Sequence, residues 1–376
     1  MILSLLDDFK FFADAKNINK IFAKTKINNI LSQAYISDGG PGFLKSDLLK
    51  YYKKKNILIK NSHLEKMKSY YRFDNKNKIS YIELSKIIGK ELVKKKKNYF
   101  QKSSYGLGEV VKKAIRSGST KIYIGLGGCD STDIGIGFLS ALGVVFKNND
   151  QTKFNPLKDS WDKVGQIDLV SFKQTKQKYK NIKIILLADV LLPLYGNKGS
   201  TKMFGLQKGA KKIELKFIDN LVKKYFMMFK NTLNNNLDNS YHGSSSGIPF
   251  SVSLLFKTEI INGMKYFLDK SKILQLIKKK KIKYILTGEG RLDNTSLLGK
   301  FTIEIAKFAK RENLFIIGIF GQVSNQILKK KFDKTFTLTK KKVTLINKRY
   351  KLSNTHRAKI KKIGNLVFEL IKKNGI

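Results

Sequence analysis

The sequence predicts an α/β protein of two domains. One carries a parallel sheet built from both chain ends, and the other is inserted between them with a mixed sheet. Three observations predict this. Short apolar runs, glycine-rich turns and Lys-studded helical stretches recur along the 376 residues, the rhythm of strands covered by helices. That length is too great for one small domain and suits two of ordinary size. Between Lys60 and Ile82 the text changes: "MKSYYRF" and "KISYI" flank "DNKNK" and read as a hairpin, which a purely parallel sheet does not contain.

The ends supply five expected strands: "ILSLL" (2–6), "AYIS" (34–37), "YILT" (284–287), "FIIGIF" (315–320) and "TFTL" (335–338). Five such strands are enough for a flavodoxin-like parallel-sheet domain, assigned to residues 1–55 plus 280–376. The inserted α/β domain, residues 56–279, holds the hairpin together with "KIYIGL" (121–126) and "IILLA" (184–188). Both boundaries are placed to within about 15 residues, since linkers rather than elements define them.

Composition narrows the function classes. The chain has 75 Lys and Arg against 28 Asp and Glu, a formal net charge of +47. A nucleic-acid binder would use such charge, but 69 of the 75 basic residues are Lys. Base readout and bidentate phosphate binding favour the planar fork of Arg. With abundant Asn and Ile and only four Pro, the excess reads as a solvated Lys coat, with weak polyanion binding at low salt and no specific nucleic acid. Cys129 is the single cysteine, so a disulfide framework is excluded and a reducing, cytoplasmic location is expected. The opening "MILSLLDDFKFF" interrupts its apolar run with two aspartates, unlike a secretion signal. The stretch from Ile124 to Phe146 carries Asp130 and Asp133, which a membrane helix would hold at high cost. No membrane partner is expected.

With so few acids, their placement carries information. Asp7 and Asp8 follow the first strand, Asp38 opens "DGGPG", and Asp130 and Asp133 lie in "GLGGCDSTDIGIG". Asp189 ends "IILLAD", and Glu289 and Asp293 lie in "TGEGRLDNTSLLGK". Each stands just past the carboxyl end of an expected strand, where open α/β sheets bind ligands. Any one of them could be a helix cap; recurrence beside glycine at five places favours a shared site. Standard nucleotide motifs are missing. In "LLGKFT" Asn294 occupies the first glycine position of a P-loop and Phe301 follows the Lys, and Asp130 takes the third glycine place in "GLGGCD". The three histidines have no zinc spacing, and Cys129 has no His near it in sequence.

Taken in order, these loops resemble the type 1 glycerate kinase family. "LLDDFK" (5–10) is similar to its P-D-S-F-K, "SDGGPG" (37–42) to D-G-G-E-G, and "SYGLGEVVKKAI" (104–115) to G-x-G-E-L-I. "GLGGCDSTDIGIGFLSALG" (125–143) resembles G-G-S-A-T-N-D-G-G-x-G with its A-L-G, and "ADVLLPLYG" (188–196) resembles D-V-T-N-P-L-x-G. "FGLQKGA" (204–210) resembles F-G-P-Q-K-G-A, and residues 287–300 resemble T-G-E-G-R-x-D-x-Q-T-x-x-G-K.

The resemblance implies phosphorylation of D-glycerate by ATP with Mg²⁺, in a cleft between two α/β domains. Carried over residue by residue, it implies Asp189, Lys10 and Arg291 as catalytic groups, with Asp189 the base or hydroxyl-orienting acid. It implies Asp7, Asp38, Gly39, Gly40, Gly127, Gly128, Asp133, Gln207, Lys208, Gly288, Glu289, Gly290, Asp293 and Lys300 as substrate and phosphate contacts. Acids of these loops would hold the metal. Kinase chemistry needs such a mixture: cations for phosphate oxygens, acids for Mg²⁺ and the attacking hydroxyl, and glycines for close backbone approach.

The chain also departs from the family. "FFADA" replaces the small, hydroxyl-bearing G-S-L-S-A after Lys10, and Pro41 and Phe43 replace Glu and Thr. Leu191 and Leu192 replace Thr-Asn, Cys129 replaces Ser, and "HGSSSGIPFS" (242–251) blurs G-A-G-A-A-G-G so that its register is not fixed. A pocket altered by Phe11, Phe12 and Leu192 would imply a related hydroxy acid as substrate. Loss of the hydroxyl set would leave a binding protein on the same fold.

Overall fold

The computed structural model describes residues 1–9, 12–93, 97–188, 190–233, 239–298, 301–339 and 352–374. In chain order its strands are β1 (Ile2–Leu6), β2 (Leu31–Gln33), β3 (Lys53–Lys60), β4 (Lys66–Asp74), β5 (Ile79–Glu83), β6 (Lys121–Gly125) and β7 (Phe146–Asn148). There follow β8 (Val164–Ile167), β9 (Lys183–Ala188), β10 (Lys257–Asn262), β11 (Tyr284–Leu292), β12 (Phe315–Val323) and β13 (Lys334–Thr337). The chain divides into two compact units, Met1–Ser37 with Phe267–Ile376, and Asp38–Tyr266.

The first unit has the sheet order β13-β12-β11-β1-β2, with every neighbouring pair parallel. Renumbered within that sheet the order is 2-1-3-4-5, the flavodoxin-like arrangement. Its strands read as apolar runs because both faces are covered. Ile2, Leu286, Ile317 and Ile319 are fully buried beside Ile360 and Val367 of the helix Asn354–Lys373. That helix starts where Ser353 accepts the His356 N–H, and it buries Ile360, Ile363, Val367 and Ile371 at helical spacing. The strand expected at 34–37 is instead Leu31–Gln33, because the register with Ile2–Ser4 brings those residues into the ladder. Ala34 N–H still reaches the Ser4 carbonyl at 3.2 Å, and the chain then leaves the edge.

The second unit carries the mixed sheet β10-β9-β6-β5-β4-β3. Its first four strands run parallel, and β4 and β3 pair antiparallel at the other edge. The expected hairpin is β4–β5. Asp74 closes its turn by accepting the backbone N–H groups of Lys76 (3.1 Å) and Asn77 (3.2 Å). Segment 38–52, expected with the chain ends, packs on this sheet. Glu83 accepts the N–H groups of Gly42 (3.1 Å) and Leu44 (3.0 Å), and Arg72 donates to the carbonyls of Leu44 and Tyr52, each at 2.7 Å. Tyr52, Tyr81, Tyr123 and Tyr266 form a row of rings over the same face, with centroids 5.2, 5.3 and 5.2 Å apart. Among the described residues, no helix is long and apolar enough to cross a membrane.

Candidate active-site loops

In the first unit the strand order reverses between β1 and β11, and that switch point is where such sheets hold ligands. The residues there are the expected ones. Asp7 donates its N–H to the Gly288 carbonyl at 3.0 Å, so the β1 and β11 ends are tied together. A Cβ on Gly288 would lie 2.1 Å from the Ile319 carbonyl, so only glycine fits. Glu289, 7% exposed, accepts hydrogen bonds from Ser296 (3.2 Å) and from Thr302 of the helix Phe301–Arg311. Arg291 is half-buried; its Nε donates to Ser324 Oγ at 2.8 Å and lies 3.6 Å from Asp293 Oδ2. Gly290 stands between these two side chains on β11. Lys10 and Lys300 lie outside the described residues.

In the second unit, loops far apart in sequence meet at the carboxyl ends of β6 and β9. Gly39 has φ +94°, and a Cβ there would sit 2.7 Å from the Leu187 carbonyl. Its own carbonyl accepts the Gly127 N–H at 3.2 Å, and Asp38 Oδ1 accepts the Gly40 N–H at 2.9 Å. The serine loop whose register the sequence left open is placed by its hydroxyls. Ser245 donates to the Leu126 carbonyl and Ser244 to the Val190 carbonyl. Ser245, Ser246 and Gly247 take positive φ of 51°, 55° and 89° before the helix Ile248–Leu255 begins. Gly128 is exposed beside Cys129. Asp189, expected at this strand end, lies outside the described residues.

Lys208 is 9% exposed, and its ammonium donates to the Ser131 carbonyl (2.8 Å) and Ser246 Oγ (2.7 Å). Gln207 is exposed and offers its carbonyl to Lys90 at 2.8 Å. Asp133 has a different environment. Its carboxylate accepts from Ser104 N (2.8 Å), Ser104 Oγ (2.9 Å), Ser103 Oγ (3.4 Å), Gly137 N (2.9 Å) and Gly135 N (3.3 Å). These bonds cap the helix Ile136–Leu142 and dock the start of Tyr105–Arg116. Burial pushes this carboxyl above the usual carboxylate range, opposed by the N–H groups of Ser104 and Gly137. Ser244, Ser246 and Lys102, which the sequence reading did not single out, also join these loops, as does Asp130, one of the acids it did note. Three serines before a glycine were a readable signal, but one Lys among 69 was not.

Two departures from the family prove to be core packing. Phe12 is 2% exposed, its ring set edge-on to His356 with centroids 5.1 Å apart. Phe43 is fully buried against Tyr81. Cys129 Sγ lies 3.1 Å from Ser131 Oγ, and neither of the serine hydroxyl nor the backbone carbonyls nearby can act as a base for it. Cys129→Ser is expected to keep kcat/KM within about tenfold of the parent, roughly 1.4 kcal/mol. Complete loss of turnover in a folded variant would show that the thiol takes part.

Acids and a tethered guanidinium stand at the switch point of the first unit, and a buried ammonium lies among glycine loops of the second. The glycerate kinase family model matches residues 2–370. A glycerate kinase of Bacillus cereus is 31% identical over 286 residues, covering 75% of this chain and 74% of that protein. A glycerate 2-kinase of Escherichia coli is 26% identical over 295 residues, covering 78% and 76%. The crystal structure of a protein provisionally described as glycerate kinase 2, from Salmonella typhimurium LT2, covers 100% of this chain and 99% of its own at 21% identity. Its TM-score of 0.74 supports the fold. The chain belongs to the glycerate kinase family and is an enzyme of that family. Nucleotide-dependent phosphoryl transfer is the general chemistry of such a kinase.

Proposed function

We propose that the enzyme transfers the γ-phosphoryl group of ATP to a hydroxyl of D-glycerate. The observation that carries this reading is the switch point itself. Asp7, Glu289, Arg291 and Asp293 gather at the ends of β1 and β11, where a flavodoxin-like sheet presents its ligand. In the proposed reaction the glycerate hydroxyl oxygen bonds to the γ-phosphorus while the bond to the β,γ-bridging oxygen breaks and ADP leaves. Asp189 takes the hydroxyl proton. Lys10, Lys208, Arg291 and Lys300 hold phosphate oxygens or the glycerate carboxylate.

Among the described residues no three His, Cys, Asp or Glu side chains gather as a metal cage. Mg²⁺ rarely uses one, since it is usually held by one or two carboxylates with phosphate oxygens and water. One or two of the oxygen-only donors Asp7, Glu289 and Asp293 would fit that preference and hold it. When bound, it would neutralise charge developing between the β- and γ-phosphates.

A coupled ADP-release assay tests the reading, with D-glycerate beside a panel of other hydroxy acids. Release that needs D-glycerate and stops on chelation of the metal is expected. Turnover of a different acid would overturn the substrate, and no turnover with any acid would leave a binding protein. The packing of Phe12 in the core removes one support for an altered pocket.

A further inference from the structure

We infer that the buried pair Lys102–Asp130 holds Lys208 in place as an oxyanion-binding ammonium, which makes Lys102 a positioning residue for the anionic part of the substrates. The inference rests on the kinase reading above for the source of the oxyanion, a glycerate carboxylate or an ATP phosphate.

Lys208 is gripped at both ends. Its ammonium reaches the Ser131 carbonyl, and its own carbonyl accepts the Lys102 ammonium at 2.7 Å. Lys102 in turn donates to Asp130 Oδ1 at 2.9 Å, and Asp130 precedes Ser131 in the chain. The contacts therefore close a ring through residues 130, 131, 102 and 208. Lys102 is 7% exposed and Asp130 1% exposed, so their attraction is little screened by solvent. Asp130 is itself fixed: its Oδ2 accepts from Ser62 Oγ at 3.0 Å, and its N–H bonds the Ile88 carbonyl at 2.8 Å. His63 Nε2 stands 3.5 Å from the same oxygen, too far for a strong hydrogen bond. Burial holds that imidazole below its usual pKa, so it adds no competing charge at neutral pH.

Charge distinguishes the two lysines. Lys102 has a carboxylate partner, whereas both oxygens that receive the Lys208 ammonium are neutral. Among the described residues, two acceptors leave one of its three N–H groups for another oxygen. A buried ammonium among neutral groups is poorly stabilised on its own, and an arriving carboxylate or phosphate supplies the missing charge. Holding its flexible stem beforehand removes an ordering cost from binding.

The test compares Lys208→Met, the charge-neutral pair Lys102→Met/Asp130→Asn, and the triple variant, each with a thermal melt. Lys208→Met should lower kcat/KM by about 10²-fold. The neutral pair should lower it by about 30-fold, and the triple variant should match Lys208→Met, because the pair acts only through that side chain. A rise in KM for D-glycerate identifies the carboxylate, and a rise for ATP the phosphate. Calorimetric titration with inorganic phosphate, which needs no turnover, should show binding by the parent and weaker binding by each of the three variants. Should the neutral pair not fold, Ser62→Ala keeps both charges and should shift KM a smaller amount in the same direction. Losses that multiply in the triple variant would make the pair merely structural and overturn the inference. So would parent-like oxyanion binding by the neutral pair. Absence of ADP release by the parent enzyme would instead sink the kinase reading, with the phosphate titration still deciding the inference.

Discussion

Arg291→Lys is expected to fold normally and lose about 10²-fold or more in kcat/KM, roughly 2.7 kcal/mol of transition-state stabilisation. Arg291 is one of six arginines in a chain of 69 lysines. Its Nε is tethered by Ser324 Oγ at 2.8 Å, with Asp293 alongside at 3.6 Å. A guanidinium anchored through Nε can still offer two parallel N–H groups to one phosphate or carboxylate. Lysine has no group at the Nε position to keep the tether while reaching an anion. If the contact with Asp293 were only a half-exposed ion pair, the same change would cost about 1 kcal/mol or less of stability and leave the rate untouched. Steady-state kinetics beside a thermal melt separates these outcomes, and parent-like turnover would remove Arg291 from the site.

Asp133→Ala should show its main effect in the melt. The substitution leaves the N–H groups of Ser104, Gly135 and Gly137 without their acceptor in a region where Asp133 itself is 2% exposed. Each buried group left unpaired costs about 1–3 kcal/mol, and a partial rearrangement brings the expected total to about 3–5 kcal/mol. Asp133→Asn keeps one acceptor oxygen and should lose about half as much. Denaturant titration measures both. A loss below about 1 kcal/mol for the alanine variant would show that the carboxylate is not the cap these distances describe.

The two predictions divide the acidic residues in a way their sequence context did not. In the sequence Glu289, Asp293 and Asp133 all follow an expected strand in a glycine-bearing loop, yet Glu289 proves to lie within β11. Only the fold surrounds Asp133 with donors from Ser103, Ser104, Gly135 and Gly137, where Glu289 accepts from Ser296 and Thr302. The strands were legible where burial on both faces makes an uninterrupted apolar run, as in Ile184–Ala188 and Ile316–Phe320. They were not legible in β3, where "KKKNILIK" spends its lysines on an exposed sheet edge and looks like any solvated stretch. Arg72 was equally silent, although its bonds to the Leu44 and Tyr52 carbonyls help bind segment 38–52 to the mixed sheet.

By itself the sequence determined the alternation of strands and helices, the hairpin, and the glycine and acid loops that mark the family. Each of these depends on residues within about ten positions of one another, where periodicity and turn chemistry act directly. Tertiary structure alone decided that the loop holding Asp38 meets the ends of β6 and β9, and that a serine loop more than 100 residues on ties to Leu126. It also decided that the Lys102 ammonium bonds both Asp130 and the Lys208 carbonyl. Those contacts follow from the order of strands in a sheet, and sheet order brings together residues that share no local pattern.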